Sequence, residues 1–160
     1  MFEKLRKESI AKVKKQLKES VSKDNLIIQT INSIDDIDKV SNVLVTRLRE
    51  WYSLYNPEFS ESIFNQEKFV ELIIRKDKKT LLKEIKINKS MGADLEKKDV
   101  DTILFFAKQI EVLYKTKNTL QKYIEDIMKT YCPNLLAITG VLLGAKLMSK
   151  AGSLKRLVLM

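Results

Sequence analysis

The sequence predicts an all-α protein built on a long antiparallel intramolecular coiled coil with a helical tip. Three observations carry the prediction. Only four Gly and two Pro occur in 160 residues, so the backbone has few places where it must turn. Charged residues make up 32% of the chain, alongside abundant leucine, lysine and glutamate, a composition of solvent-laced helices. From Ile103 onward, positions 103, 106, 110, 113, 117, 120, 124, 127 and 131 hold Ile, Phe, Ile, Leu, Lys, Leu, Ile, Ile and Tyr, an unbroken 3-4 spacing that marks a heptad seam.

In chain order, residues 1–23 are expected to form a basic amino-terminal helix or linker, with Ile10, Val13 and Leu17 on one stripe among eight basic residues. Residues 24–131 follow as a coiled-coil domain with a helical tip at 57–93. Its first long helix is expected over Asn25 to Tyr55, with Ser22 or Asp24 as cap and Asn56-Pro57 as stop. Two adjacent seams run along it, and both are apolar at their ends. Asp38 and Ser41 thin the contact midway. So wide a face packs against more than one helix, which makes Leu44, Leu48 and Trp51 the expected self-association residues.

Residues 57 to 91 must reverse the chain, and Phe59, Ile63, Phe64, Phe69, Val70, Leu72, Ile73, Leu81, Leu82 and Ile85 supply short amphipathic helices with a small core of their own. The second long helix is expected from an Asp94 cap to Pro133, with Ile103, Phe106, Ile110, Leu113, Lys117, Leu120, Ile124 and Ile127 as its seam. Lys117 either snorkels or marks a register point. Asn134 to Lys150 then reads as one or two helices containing Gly140 and Gly144, broken at Gly152. The last residues, Leu157-Val158-Leu159-Met160, are apolar and look cut through a core.

Composition narrows the function. There is no His and a single Cys, Cys132, so no disulfide forms within the chain and the usual zinc ligand sets cannot be assembled. No metal and no cofactor is expected. The only GxxxG, Gly140 to Gly144, lacks phosphate-loop spacing. Asp35, Asp36 and Asp38 read as a solvated face, and Cys132 as a helix-end residue. Trp51 and Tyr52 sit at helical spacing with Leu48 and Tyr55, which makes them core residues before it makes them base-stacking ones. An enzyme is therefore not expected.

The apolar stretch Leu135 to Ala145 is far short of the roughly 20 residues of a membrane span, and no secretory leader is evident, so the chain is expected to be intracellular. Net charge is +9. Residues 1–23 hold eight basic against three acidic residues, residues 94–131 seven of each, and residues 132–160 four basic and none acidic. Basic ends suit a polyanion such as RNA, though charge alone equally suits a solvated edge. Lys146, Lys150, Lys155 and Arg156 are the candidate RNA-binding residues.

Three stretches, in order, resemble the Nop family of box C/D ribonucleoprotein core subunits: IDDIDKVSNVLVTRLREWYSLYNPEF (Ile34 to Phe59), SMGADL (Ser90 to Leu95) and YCPNLLAITGVLLGAKLMSKAGSLKRL (Tyr131 to Leu157). The resemblance implies a coiled coil that makes a homodimer, followed at residues 132–160 by the start of an α-helical Nop domain, read as truncated. It also implies a non-catalytic scaffold of a particle that carries out RNA-guided 2′-O-methylation. The implied partners are fibrillarin, the methyltransferase, through a domain missing here, and a kink-turn-binding protein with box C/D guide RNA through the Nop domain. The location would be the cytoplasm in an archaeon and the nucleolus in a eukaryote. The heptads alone equally support a generic coiled-coil adaptor or tether unrelated to RNA.

Overall fold

The computed structural model describes residues 2–160, apart from the side chain of Glu19; Met1, at the head of the expected 1–23 segment, lies outside the described residues. Among the described residues every regular element is a helix. They are α1 (Phe2–Ser20), α2 (Lys23–Ser53), α3 (Pro57–Ser62), α4 (Gln66–Arg75), α5 (Lys78–Glu84), α6 (Lys97–Tyr131), α7 (Pro133–Thr139), α8 (Val141–Ala151) and α9 (Leu154–Leu159). They fall into two compact units, one containing residues 34–119 and the other the residues up to Ser33 together with 120–160.

The unit of residues 34–119 is built on the second half of α2 and the first half of α6. Val45, Leu48 and Tyr52 from α2 and Ile103, Ala107 and Ile110 from α6 are buried in one cluster with Phe59, Phe69, Val70, Ile73 and Leu81 of the tip. The rings of Phe59 and Phe69 stack at 6.0 Å, and Tyr52 meets both edge-on. Arg49 closes this end. It donates to the carbonyls of Ser60 (2.7 Å) and Ile63 (2.6 Å), and its guanidinium lies 4.3 Å from the Phe69 ring centroid. Pro57 at the start of α3 fits because a first-turn N–H has no helical partner to lose.

The two helices run antiparallel in this unit. Asp38 receives a 2.6 Å hydrogen bond from Lys117, and at the other end Ala93 N donates to Leu54 O at 2.8 Å. Lys117 therefore does not snorkel; it spans the helix pair at the level where the apolar seam is interrupted. The segment ahead of α6 also differs from expectation. Asp94 is not a cap, because α6 begins at Lys97. Loop residues 90–93 are instead pinned to the end of α2 and the start of α3. Glu58 accepts from the Ser90 hydroxyl (2.7 Å) and the Met91 amide (2.5 Å), and a Cβ on Gly92 would stand 2.1 Å from the Tyr55 carbonyl oxygen. This close approach explains why SMGADL needs its glycine.

In the other unit, Ile27 and Ile31 of α2, Ile124 and Met128 of α6, Cys132, and Ala145, Met148 and Ala151 of α8 are buried. Gly144 allows α8 to approach closely: a Cβ there would meet Thr139 Oγ1 at 2.7 Å and Met128 Cε at 2.8 Å. Gly140 (φ +74°) begins α8 and Gly152 (φ +82°) ends it, both in backbone conformations that favour glycine. Every described side chain of α1 is exposed, so that helix contributes nothing to the core.

Candidate nucleic-acid interface

The carboxy-terminal helices present the candidate RNA-binding residues. Helix α8 buries Gly144, Ala145, Met148 and Ala151, which lie on one face at helical spacing, and this leaves Lys146 and Lys150 on the exposed side, one turn apart. After Gly152, Ser153 caps α9 by accepting from Arg156 N at 3.1 Å. Lys155 and Arg156 are exposed in its first turn. The guanidinium of Arg156 lies 3.6 Å from the place a Gly152 Cβ would occupy, so it folds back over the end of α8. A lysine in the last turn of α8 and this guanidinium both sit where the helix carbonyls concentrate negative potential.

Two contacts fix the helices that carry these cations. The Asp24 carboxylate accepts from Leu154 N at 3.3 Å, and Ser149 donates to Asn32 at 2.9 Å. Asp24 therefore serves as an anchor for α9 and not as a side-chain cap of α2. It also places a carboxylate beside a segment that has no acidic residue of its own after Asp126. Burial pushes the Cys132 thiol up, and Asp24 adds to the effect, so this cysteine stays protonated and unreactive near neutral pH. No sequence signal marks the Asp24 contact, since the two partners lie 130 positions apart.

The expected seam residues of α6 divide by burial. Ile103, Ile110 and Ile124 are buried, whereas Phe106, Leu113, Lys117, Leu120 and Ile127 are half-buried. Ala107 and Met128, outside the 3-4 pattern, are fully buried. With Ile103, Ile110 and Ile124 they keep 4-3 spacing, so the buried line is still a heptad line, with 107 and 128 taking the places expected for 106 and 127.

Among the expected self-association residues, Leu48 is fully buried within the chain's own core, Leu44 is half-buried and Trp51 is 41% exposed. Trp51 is thus not the core residue the spacing suggested, while Tyr52 is. Adjacent positions on a helix point about 100° apart, and the core takes only one of them. An apolar stripe follows 4-3-4-3 spacing along 40, 44, 47, 51 and 54: exposed Val40 and Trp51 and half-buried Leu44 on α2, with Arg47 among them, and exposed Leu54 just past the end of the helix; exposed Val43 lies beside it. Trp51 meets Phe106 at 6.4 Å between ring centroids. Val40 and Leu54 were legible in that spacing but lay outside the expected set, as did Val43.

Comparison with known proteins gives this arrangement its context. A family profile described as "Nop: snoRNA binding domain, fibrillarin" matches residues 33–160. An uncharacterised NOP5 family protein of Methanocaldococcus jannaschii is 40% identical over 154 residues, covering 86% of this chain and 37% of the relative. Nucleolar protein 56 of Dictyostelium discoideum is 34% identical over 155 residues, covering 84% of the chain and 29% of the relative. Nucleolar protein 58 of Schizosaccharomyces pombe is 31% identical over 150 residues, with 84% and 30% covered. The chain spans about a third of the length of these curated relatives.

Proposed function

The chain belongs to the Nop family, and on that premise we propose that it is a non-catalytic scaffold of a box C/D particle for RNA-guided 2′-O-methylation. In this reading residues 24–131 are the helical arm, with its tip at 57–93, and residues 132–160 begin the RNA-facing Nop part. The arm joins that part to a fibrillarin-binding part outside these residues. Methyl transfer belongs to fibrillarin. The family is described by snoRNA binding, and the observation that carries the reading to particular residues is the exposed set Lys146, Lys150, Lys155 and Arg156 on helices α8 and α9. These cations contact phosphates and not base edges, so they position the protein without reading sequence.

Self-association is assigned to the apolar stripe, with Trp51 and half-buried Leu44 retained from the expected set and exposed Val40, Val43 and Leu54 added. Leu48 serves the internal core. The site of action would be the cytoplasm in an archaeon and the nucleolus in a eukaryote.

The test measures affinity for a kink-turn RNA bound to its small partner protein, across a salt series. Changing Lys146, Lys150, Lys155 and Arg156 together to Ala should weaken binding at low salt and flatten the salt dependence by about 0.7–0.9 for each phosphate no longer neutralised. An unchanged affinity and slope would remove these residues from the RNA interface.

A further inference from the structure

A second concentration of positive charge lies in the tip, in the unit of residues 34–119. Residues 75–90 carry seven basic against two acidic side chains. Part of this charge is neutralised locally: Arg75 pairs with Glu71 at 2.7 Å, and Lys76 pairs with Glu84. Among the described residues Lys79, Lys83, Lys86 and Lys89 have no carboxylate within 4.0 Å. The fold gathers two of these, with Lys78 and the Asn88 amide, around an open groove of about 460 Å³ between α5 and the 88–95 loop.

Local contacts shape the groove. The Lys78 ammonium is held 4.4 Å from the Tyr55 ring centroid, and the Gly92 backbone presses on the Tyr55 carbonyl. The acidic residues nearby are partly engaged: Glu58 accepts from Ser90 and Met91, and Asp77, next to Lys78, accepts from the Thr80 hydroxyl, which leaves Asp94 as the carboxylate lining the groove. Three ammonium groups against one lining carboxylate make a positive concavity, focused by the low-dielectric wall that Leu82 and Leu95 supply.

We propose that this groove binds the phosphodiester backbone of RNA, as a contact separate from the α8–α9 cations. The inference rests on the Nop-family reading for the choice of RNA as the polyanion. The groove offers point charges and one amide, and the Tyr55 ring already carries an ammonium on one face. Base stacking and base-edge reading therefore have little to work with, and the contact is sequence-independent. An acidic protein segment is the competing polyanion; it would draw its specificity from apolar pockets, and the apolar lining here is confined to Leu82, Leu95 and the Tyr55 ring.

The experiment uses the whole chain and an RNA duplex with no kink-turn, measured by fluorescence anisotropy over a salt series. Lys78→Ala/Lys79→Ala/Lys89→Ala should bind about tenfold or more weakly at low salt and lower the salt slope by about 2. Lys79→Arg/Lys89→Arg should retain both. Circular dichroism melting of each variant separates removal of charge from loss of fold; the double variant Lys79→Ala/Lys89→Ala, which leaves the Tyr55 contact intact, gives the reading if the triple variant melts early. The quadruple α8–α9 variant serves as background, so a tip contribution that persists there stands even if the α8–α9 cations prove irrelevant. Unchanged slope in the tip variants, or a tip-dependent affinity for polyglutamate with none for RNA, would overturn the assignment.

Discussion

Two glycines separate necessity from convenience at the scale of single residues. A methyl group on Gly92 would overlap the Tyr55 backbone carbonyl at 2.1 Å, and backbone cannot rotate away. Gly92→Ala should therefore cost about 3 kcal/mol, seen as a lowered urea midpoint. Gly144→Ala meets the flexible end of Met128 and the Thr139 hydroxyl, which gives way only by losing its 2.8 Å bond to the Leu135 carbonyl, while alanine recovers about 1 kcal/mol of helix propensity over glycine. Its net effect should be within about 1 kcal/mol of zero. Tyr52 adds a pH signature. Burial pushes its phenol up to about 12 from an ordinary value near 10. The folded state then holds the proton more tightly than the unfolded state, so its contribution is intact below about pH 10 and is lost as pH rises towards about 12. Up to about 2–3 kcal/mol should disappear over that window, and Tyr52→Phe should flatten the decline in an alkaline melting series.

Burial decides the expected costs at the scale of elements. Ile110 is fully buried, so Ile110→Ala should cost about 2–5 kcal/mol, whereas half-buried Leu113 should cost about 1–2 kcal/mol. Denaturant titration of the two variants would reverse the seam assignment if Leu113 proved the costlier. The Asp38–Lys117 pair is partly exposed, and a double-mutant cycle should give a coupling of about 0.5–1 kcal/mol that shrinks with salt. Helix existence was legible because apolar spacing and Pro or Gly punctuation act within one helix. Pro57, Pro133 and Gly152 end or begin elements as the sequence indicates. Contacts between distant segments were not legible. The Arg49 bonds to the Ser60 and Ile63 carbonyls and the Asp24 bond to Leu154 N depend on how helices meet, and a carboxylate or guanidinium carries no mark of its distant partner. Only the core reading of Trp51 failed, because both helix faces it borders are apolar and the core takes the Tyr52 side.

The whole molecule, a member of the Nop family, carries two chemical surfaces: apolar residues on and just past α2 that remain exposed, and cations of α8 and α9 whose helices are fixed in place by Asp24 and Ser149. Val40, Val43, Trp51 and Leu54 of the first surface and the four cations of the second are exposed and lie outside the buried core, which is why both surfaces are assigned to partners. The central claim is that these residues form a self-associating scaffold that joins an RNA–protein complex. Light scattering coupled to size-exclusion chromatography tests it directly, with the 18.6 kDa chain mixed with a kink-turn RNA already carrying its small binding protein. The account predicts one peak at low salt whose mass includes two copies of the chain, reduced to a single copy by Trp51→Glu. Elution of the chain alone at 18.6 kDa, with the RNA–protein complex in a separate peak, would contradict it.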